Sequence, residues 1–124
     1  MNLGNVLVFG GTGMLAEATG WIADHSVSTT AFGRDQRKLE CLVNTYGVET
    51  EVLDYTDLNT LSEQIDTAYR THGSIHLVVA WIHNTSPEAI SVIQETIFKL
   101  QPARQWTLII VKGSSSRQSD IAEE

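Results

Sequence analysis

One segment limits what this chain can fold into more than any other. Val6-Leu7-Val8-Phe9, an apolar run, passes through Gly10-Gly11-Thr12-Gly13 directly into Met14-Leu15-Ala16, the opening of an amphipathic stretch. A short apolar run bounded by glycines reads as a buried strand, and the glycines permit a turn that side chains would block. Gly11-x-Gly13-x-x-Ala16 fits the G-x-G-x-x-G/A pattern. Its first glycine allows the tight turn, its second lets backbone approach a pyrophosphate, and the small third residue lets helix and strand pack closely. Bare N–H groups and the partial positive charge of the helix start would face a diphosphate there. A tight strand-to-helix turn without a ligand is the simpler alternative. No Gly-Lys-Ser or Gly-Lys-Thr follows, which sets a kinase-type phosphate loop aside.

Beyond this turn, short β-rich runs alternate with stretches of helical period as far as about Val111, the signature of parallel β-α-β units. Strands are predicted at Asn5–Phe9, Val27–Phe32, Glu49–Leu53, Ile75–Trp81 and Trp106–Val111. Four helices are marked by apolar residues at steps of three and four: Met14, Ala18, Trp21 and Ile22; Leu39, Leu42, Val43 and Tyr46; Leu58, Leu61, Ile65, Ala68 and Tyr69; Ile90, Ile93, Ile97 and Leu100. Gly47 and Gly73 stand where helix C-terminal residues are wanted, Ser86-Pro87-Glu88 supplies a cap and first turn, and the third helix is expected to start near Thr56 or Asp57. Right-handed crossovers then favour an α/β fold, a Rossmann-like three-layer α/β/α sandwich with a five-stranded parallel sheet in order 3-2-1-4-5. Residues 1–112 would form this domain and the polar, serine-rich 113–124 a partly mobile tail.

The chain of 124 residues is long enough for one core and too short for two full domains. Its formal charge of -7, with the acids spread along the chain, repels phosphate backbones and anionic lipids, so neither nucleic acid nor membrane is an expected partner. No apolar run reaches the length of a membrane span, the single Cys41 cannot form an internal bridge, and cytoplasmic location is the default. Cys41 is expected in the core. His25, His72, His76 and His83 show no metal-ligand spacing, so no metal site is expected; His83, just past the fourth strand, is a conceivable proton donor.

The end of the second strand bears on which dinucleotide is held. Phe32-Gly33-Arg34-Asp35 places Arg34, with Arg37 and Lys38 one turn on, where NADP carries its extra phosphate. NADP is therefore the expected cofactor; NAD remains possible if Asp35 turns inward to a ribose.

On these residues the sequence resembles the short-chain dehydrogenase/reductase family from Val6 to about Ser116. The resemblance implies cofactor contacts at Gly10, Gly11, Thr12, Gly13, Met14 and Leu15, at Asp54 for the adenine amino group with Tyr55 beside the ring, and at Ala80 and Trp81 for the ribose and the approach to the nicotinamide. Where the family usually has Asn-Ala-Gly, this chain has Ala80-Trp81-Ile82-His83. Ser114 or Ser115 in Val111-Lys112-Gly113-Ser114-Ser115-Ser116 is similar to the family's catalytic serine. The family's Tyr-x-x-x-Lys pair has no counterpart, because neither residue type follows Ser116.

The resemblance thus implies an oxidoreductase acting on a small carbonyl or alcohol with an unusual proton donor. The rival reading is a catalytically silent module that senses the dinucleotide or binds a protein partner, and a third is a fragment of a longer dehydrogenase. With the first two helices on one face and the last two on the other, Trp106, Leu108, Ile110 and alternate residues of Ile75–Trp81 are expected to lie bare, which predicts a homodimer through that face or the fifth-strand edge.

Overall fold

The computed structural model describes residues 3–10, 16–80 and 87–111. In chain order these form β1 (Asn5–Phe9), α1 (Ala16–Asp24), β2 (Ser28–Gly33), α2 (Gln36–Tyr46), β3 (Glu49–Val52), α3 (Leu58–His72), β4 (Ile75–Ala80), α4 (Pro87–Leu100) and β5 (Thr107–Ile110). Every strand pair is parallel, and the sheet order is β3-β2-β1-β4-β5. The fold is the expected Rossmann-like α/β sandwich, with the reversal of strand order between β1 and β4.

Alternation along β1 divides the core. Leu7 and Phe9 pack with Leu61 and Ile65 of α3 and Ile93 and Ile97 of α4, all fully buried. Val6 and Val8 point the other way, toward Ile22 of α1, while Leu39 and Leu42 of α2 pack on Ala31 of β2. Each large aliphatic side chain so buried contributes on the order of 1.5–3 kcal/mol, which is why the apolar stripes of α3 and α4 follow the sequence pattern closely.

Local chemistry sets the helix ends. The Asp35 carboxylate accepts from the Arg37 and Lys38 N–H groups at 3.0 and 3.4 Å, and Asp57 accepts from Thr60 N at 3.2 Å, each occupying an otherwise orphaned first-turn donor. Gly47, at φ 72° and ψ 23°, closes α2 in the left-handed conformation that glycine alone adopts freely. After α4, the buried Gln101 amide donates to Ile75 O and accepts from Ile75 N, both at 2.8 Å, and so acts as an extra strand partner at the start of β4.

Three sequence expectations are corrected. Trp21, which marks the apolar stripe of the first helix and is expected on its buried, sheet-facing side, is 56% exposed. Helix α1 is rotated because Gly20 meets the Tyr46 ring of α2, where a Cβ has no room; Thr19, Gly20 and Ile22 turn inward, and Trp21 stacks outside on His25 at 4.0 Å. Cys41 is exposed, since Leu39 and Leu42 take the inner positions of α2, and Val43 is exposed as well. Trp106 and Leu108 pack on the α3/α4 side, so they do not belong to the bare face. The residues of β4 and β5 on the α1/α2 side are Leu77 and Val79, in register with Thr107 and Ile109, followed by Val111.

Candidate functional site

The described part of the site lies at the C-terminal ends of β1, β2 and β4 and in the loop after β3. Phe9 and Phe32 are register partners at the ends of β1 and β2, and their rings stack at 4.6 Å and 12°. Immediately beyond Phe9, Gly10 has φ 80°, a conformation that only glycine adopts without strain, and it turns the chain out of the sheet. Its N–H donates to the Phe32 carbonyl at 2.9 Å.

That carbonyl also accepts the Tyr55 hydroxyl at 2.9 Å, and the Tyr55 ring meets Phe9 edge-on at 6.2 Å. Burial pushes the phenol well above its ordinary value; the Gly10 N–H and the Arg34 charge act in the opposite direction and do not offset it. A neutral phenol committed to a backbone acceptor is a fixed strut, and its proton is poorly suited to transfer near neutral pH.

Arg34 follows β2 on the exposed rim, and its charge acts on both Tyr55 and Asp54. The Leu53 N–H donates to Gly33 O at 2.8 Å, which extends the β2–β3 pairing to this point. Asp54 is exposed; its Oδ1 accepts from Thr56 N at 2.9 Å and from Thr56 Oγ1 at 2.7 Å. Those donors, the backbone N–H foremost, hold the carboxyl below its usual range, with Arg34 adding to the effect, so Asp54 is a carboxylate at neutral pH. Asp35, the alternative ribose ligand, has its Oδ1 engaged in capping α2.

Ala80 ends β4 fully buried, paired with Phe9 on one side and Ile110 on the other, and its carbonyl accepts from Val111 N at 2.9 Å. The chain therefore leaves neighbouring strands at Gly10 and after Ala80, where the order reverses and a crevice for a ligand opens in folds of this kind. Gly10, Arg34, Asp54, Tyr55 and Ala80 are brought to one rim of the sheet. Gly11, Thr12, Gly13, Met14, Leu15, Trp81, His83, Ser114 and Ser115 lie outside the described residues. Phe32 and Phe9 were not singled out by the sequence reading; their place as the last apolar residue before each glycine, at the ends of adjacent strands, is the signal that would have found them. Among the described residues no group of His, Cys, Asp and Glu is arranged to hold a metal ion, and no helix is long and apolar enough to cross a membrane.

No family model and no curated protein matches this sequence. Solved structures do share its fold. A short-chain type dehydrogenase/reductase from Mycobacterium ulcerans superposes with a TM-score of 0.74 at 15% identity, over 86% of this chain and 50% of that one. The citronellol catabolism dehydrogenase of Pseudomonas aeruginosa gives 0.74 at 14% identity, over 89% and 56%. A β-ketoacyl-[ACP] reductase from Bacteroides thetaiotaomicron gives 0.72 at 15%, over 86% and 59%. The architecture is that of short-chain dehydrogenase/reductase structures, and the chain spans between half and three-fifths of their length.

Proposed function

We propose that the protein binds NADP(H) as a short-chain dehydrogenase/reductase-like oxidoreductase acting on a small carbonyl or alcohol. The observation that carries this reading is the position of Gly10, at φ 80° one residue beyond the Phe9–Ala80 pair, on the same rim as Arg34 and Asp54. The residues present suit the dinucleotide: a glycine turn at a strand end, a cation at the end of β2 and an ionised acid after β3.

The backbone of Gly10, Gly11, Thr12, Gly13, Met14 and Leu15 would hold the diphosphate. Arg34 would meet the 2′-phosphate, and Asp54, whose Oδ2 is left by the Thr56 bonds, would accept from the adenine amino group beside Tyr55. Ala80 and Trp81 would line the ribose and the approach to the nicotinamide, as the resemblance implies. NADP is favoured over NAD because Arg34, the first residue after β2, is exposed on this rim and brings the positive charge that the extra phosphate needs. When bound, the dinucleotide supplies the hydride chemistry. Ser114 or Ser115 polarises the substrate carbonyl by donating a hydrogen bond, and a group other than tyrosine supplies the proton.

A second copy of the chain completes the assembly. Leu77, Val79, Ile109 and Val111 form an apolar strip on the α1/α2 side, with Ile109 45% exposed on edge strand β5. Strips of this kind close by two-fold apposition, which would also complete the substrate pocket. The exposed free thiol of Cys41 suits the reducing cytoplasm.

Titration calorimetry with NADPH and NADH, followed by hydride exchange from labelled NADPH to a panel of carbonyl compounds, tests the proposal. Saturable binding that favours NADPH, with transfer, is the expected result. Binding without transfer would reduce the protein to a dinucleotide-sensing module, and no binding of either nucleotide would overturn the assignment.

A further inference from the structure

The sheet ends in β3 on one side and β5 on the other, and no described residue bonds to the outer backbone of either strand. The two edges differ in chemistry. β3 reads Glu49-Thr50-Glu51-Val52, and its carboxylates guard that edge against a further strand, as charged edge residues commonly do. β5 reads Thr107-Leu108-Ile109-Ile110, and no charged residue occurs from Trp106 to Val111. Ile109 and Ile110 are 45% and 48% exposed.

Pairing with β4 decides which groups of β5 stand open. Val111 N donates to Ala80 O, so Val111 and, by the alternation of a parallel ladder, Ile109 and Thr107 turn their backbone groups inward to β4. Leu108 and Ile110 therefore present N–H and C=O outward. A row of open donors and acceptors at strand spacing is satisfied by an extended strand and not by a helix, whose own backbone groups are already bonded.

We infer that a second copy of the chain supplies that strand: two β5 strands pair antiparallel across a two-fold axis and join two five-stranded sheets into one. The inference rests on the two-copy reading above and specifies where the copies meet; it is independent of the dinucleotide. Pairing β5 with the partner's β3 would set carboxylates against an uncharged strand and leave an edge open at each end, so the assembly would grow without closing. Pairing β3 with itself would bring like charges together. Of the three edge pairings, β5 with β5 alone joins uncharged strands and closes. Within Thr107–Ile110, one register bonds both outward residues to the partner strand: Leu108 exchanges N–H and C=O bonds with the partner's Ile110, and Ile110 with the partner's Leu108. Ile109 then lies on the axis opposite the partner's Ile109, in a non-hydrogen-bonded pair whose Cα atoms stand about 4.5 Å apart. Since Ile109 is in register with Val79, the apolar strip of each copy runs on into the other.

The test is sedimentation of the full chain together with cysteine cross-linking in a Cys41→Ser background, which removes the exposed native thiol. Ile109→Cys should give a disulfide-linked dimer on mild oxidation, because its two copies lie within disulfide range. Thr107→Cys should give none, its copies being roughly 14 Å apart. Ile110→Pro removes an outward N–H and no bond to β4, so the chain should keep its circular dichroism while its dimer weakens about tenfold. Where Ile110→Pro does not fold, the cross-linking pair decides. A parent chain that sediments as a dimer while Ile109→Cys stays unlinked, or an Ile110→Pro chain that folds and dimerises like the parent, would overturn the β5 pairing and leave the two-copy reading standing. A monomeric parent would overturn both.

Discussion

The Tyr55 hydroxyl donates to the Phe32 carbonyl at 2.9 Å, and that oxygen also receives the Gly10 N–H at 2.9 Å. One acceptor thus ties the loop after β3 to the end of β2 and to the first residue of the glycine turn. Tyr55→Phe keeps the ring against Phe9 and removes one donor, so it should cost about 1 kcal/mol of stability and weaken NADPH binding with little change in the NADPH/NADH ratio. Chemical denaturation and calorimetry read the two effects. The phenol is raised above its ordinary value of 10.0 in the folded chain, so its contribution is fully present below about pH 10. It is lost as pH rises further, because the unfolded chain releases that proton first. Stability should therefore fall above about pH 10, less steeply in Tyr55→Phe.

Arg34 and Asp35 are adjacent yet face different tasks. Asp35→Ala removes the cap of α2 and should cost about 1 kcal/mol, with Asp35→Ser retaining most of it. Nucleotide preference should not change in either variant. Arg34→Ala should leave stability within about 0.5 kcal/mol and lower NADPH affinity toward that of NADH. Thermal melts and competitive titration separate the two residues.

Gln101 carries a larger load than its place after α4 suggests. Gln101→Leu leaves the Ile75 N–H and C=O without the bonds they make at 2.8 Å, and should cost about 3 kcal/mol by denaturant unfolding. Gln101→Glu keeps the acceptor for Ile75 N–H but sets a buried carboxylate oxygen against Ile75 O, so near neutral pH it should cost at least as much as Gln101→Leu.

Ile109 tests the proposed dimer. Ile109→Glu places a charge at the exposed member of that strip, in register with the buried Val79, and should shift sedimentation from dimer to monomer at micromolar concentration while the chain stays folded. A parent chain that sediments as a monomer would contradict the dimer.

Much of the fold is legible in the chain because its signals are periodic. The buried runs of β1 and β4, the stripes of α3 and α4, and the glycines after α2 and α3 fix element type and, with right-handed crossovers, the order of the sheet. Helix rotation is less legible. The inward turn of Gly20 depends on the Tyr46 ring from another element, and that contact reverses the placement of Trp21. Strand facing misled in the same way, since Trp106 and Leu108 have the hydrophobicity of either side and only pairing with β4 decides. Within the site, Arg34 is legible from its spacing after the glycine turn, whereas Asp54, Tyr55 and Ala80 enter only through the family resemblance. The convergence on Phe32 depends on a backbone carbonyl, which leaves no trace in residue type.

The most direct test of the account is an NMR titration of the full chain with NADPH, read at assigned backbone amides. The account predicts that Gly10, Arg34, Asp54 and Ala80 shift together along one saturation curve, and that Gly13→Val abolishes all four by blocking backbone approach to the diphosphate. Shifts confined to other parts of the chain, or unchanged saturation in Gly13→Val, would contradict it.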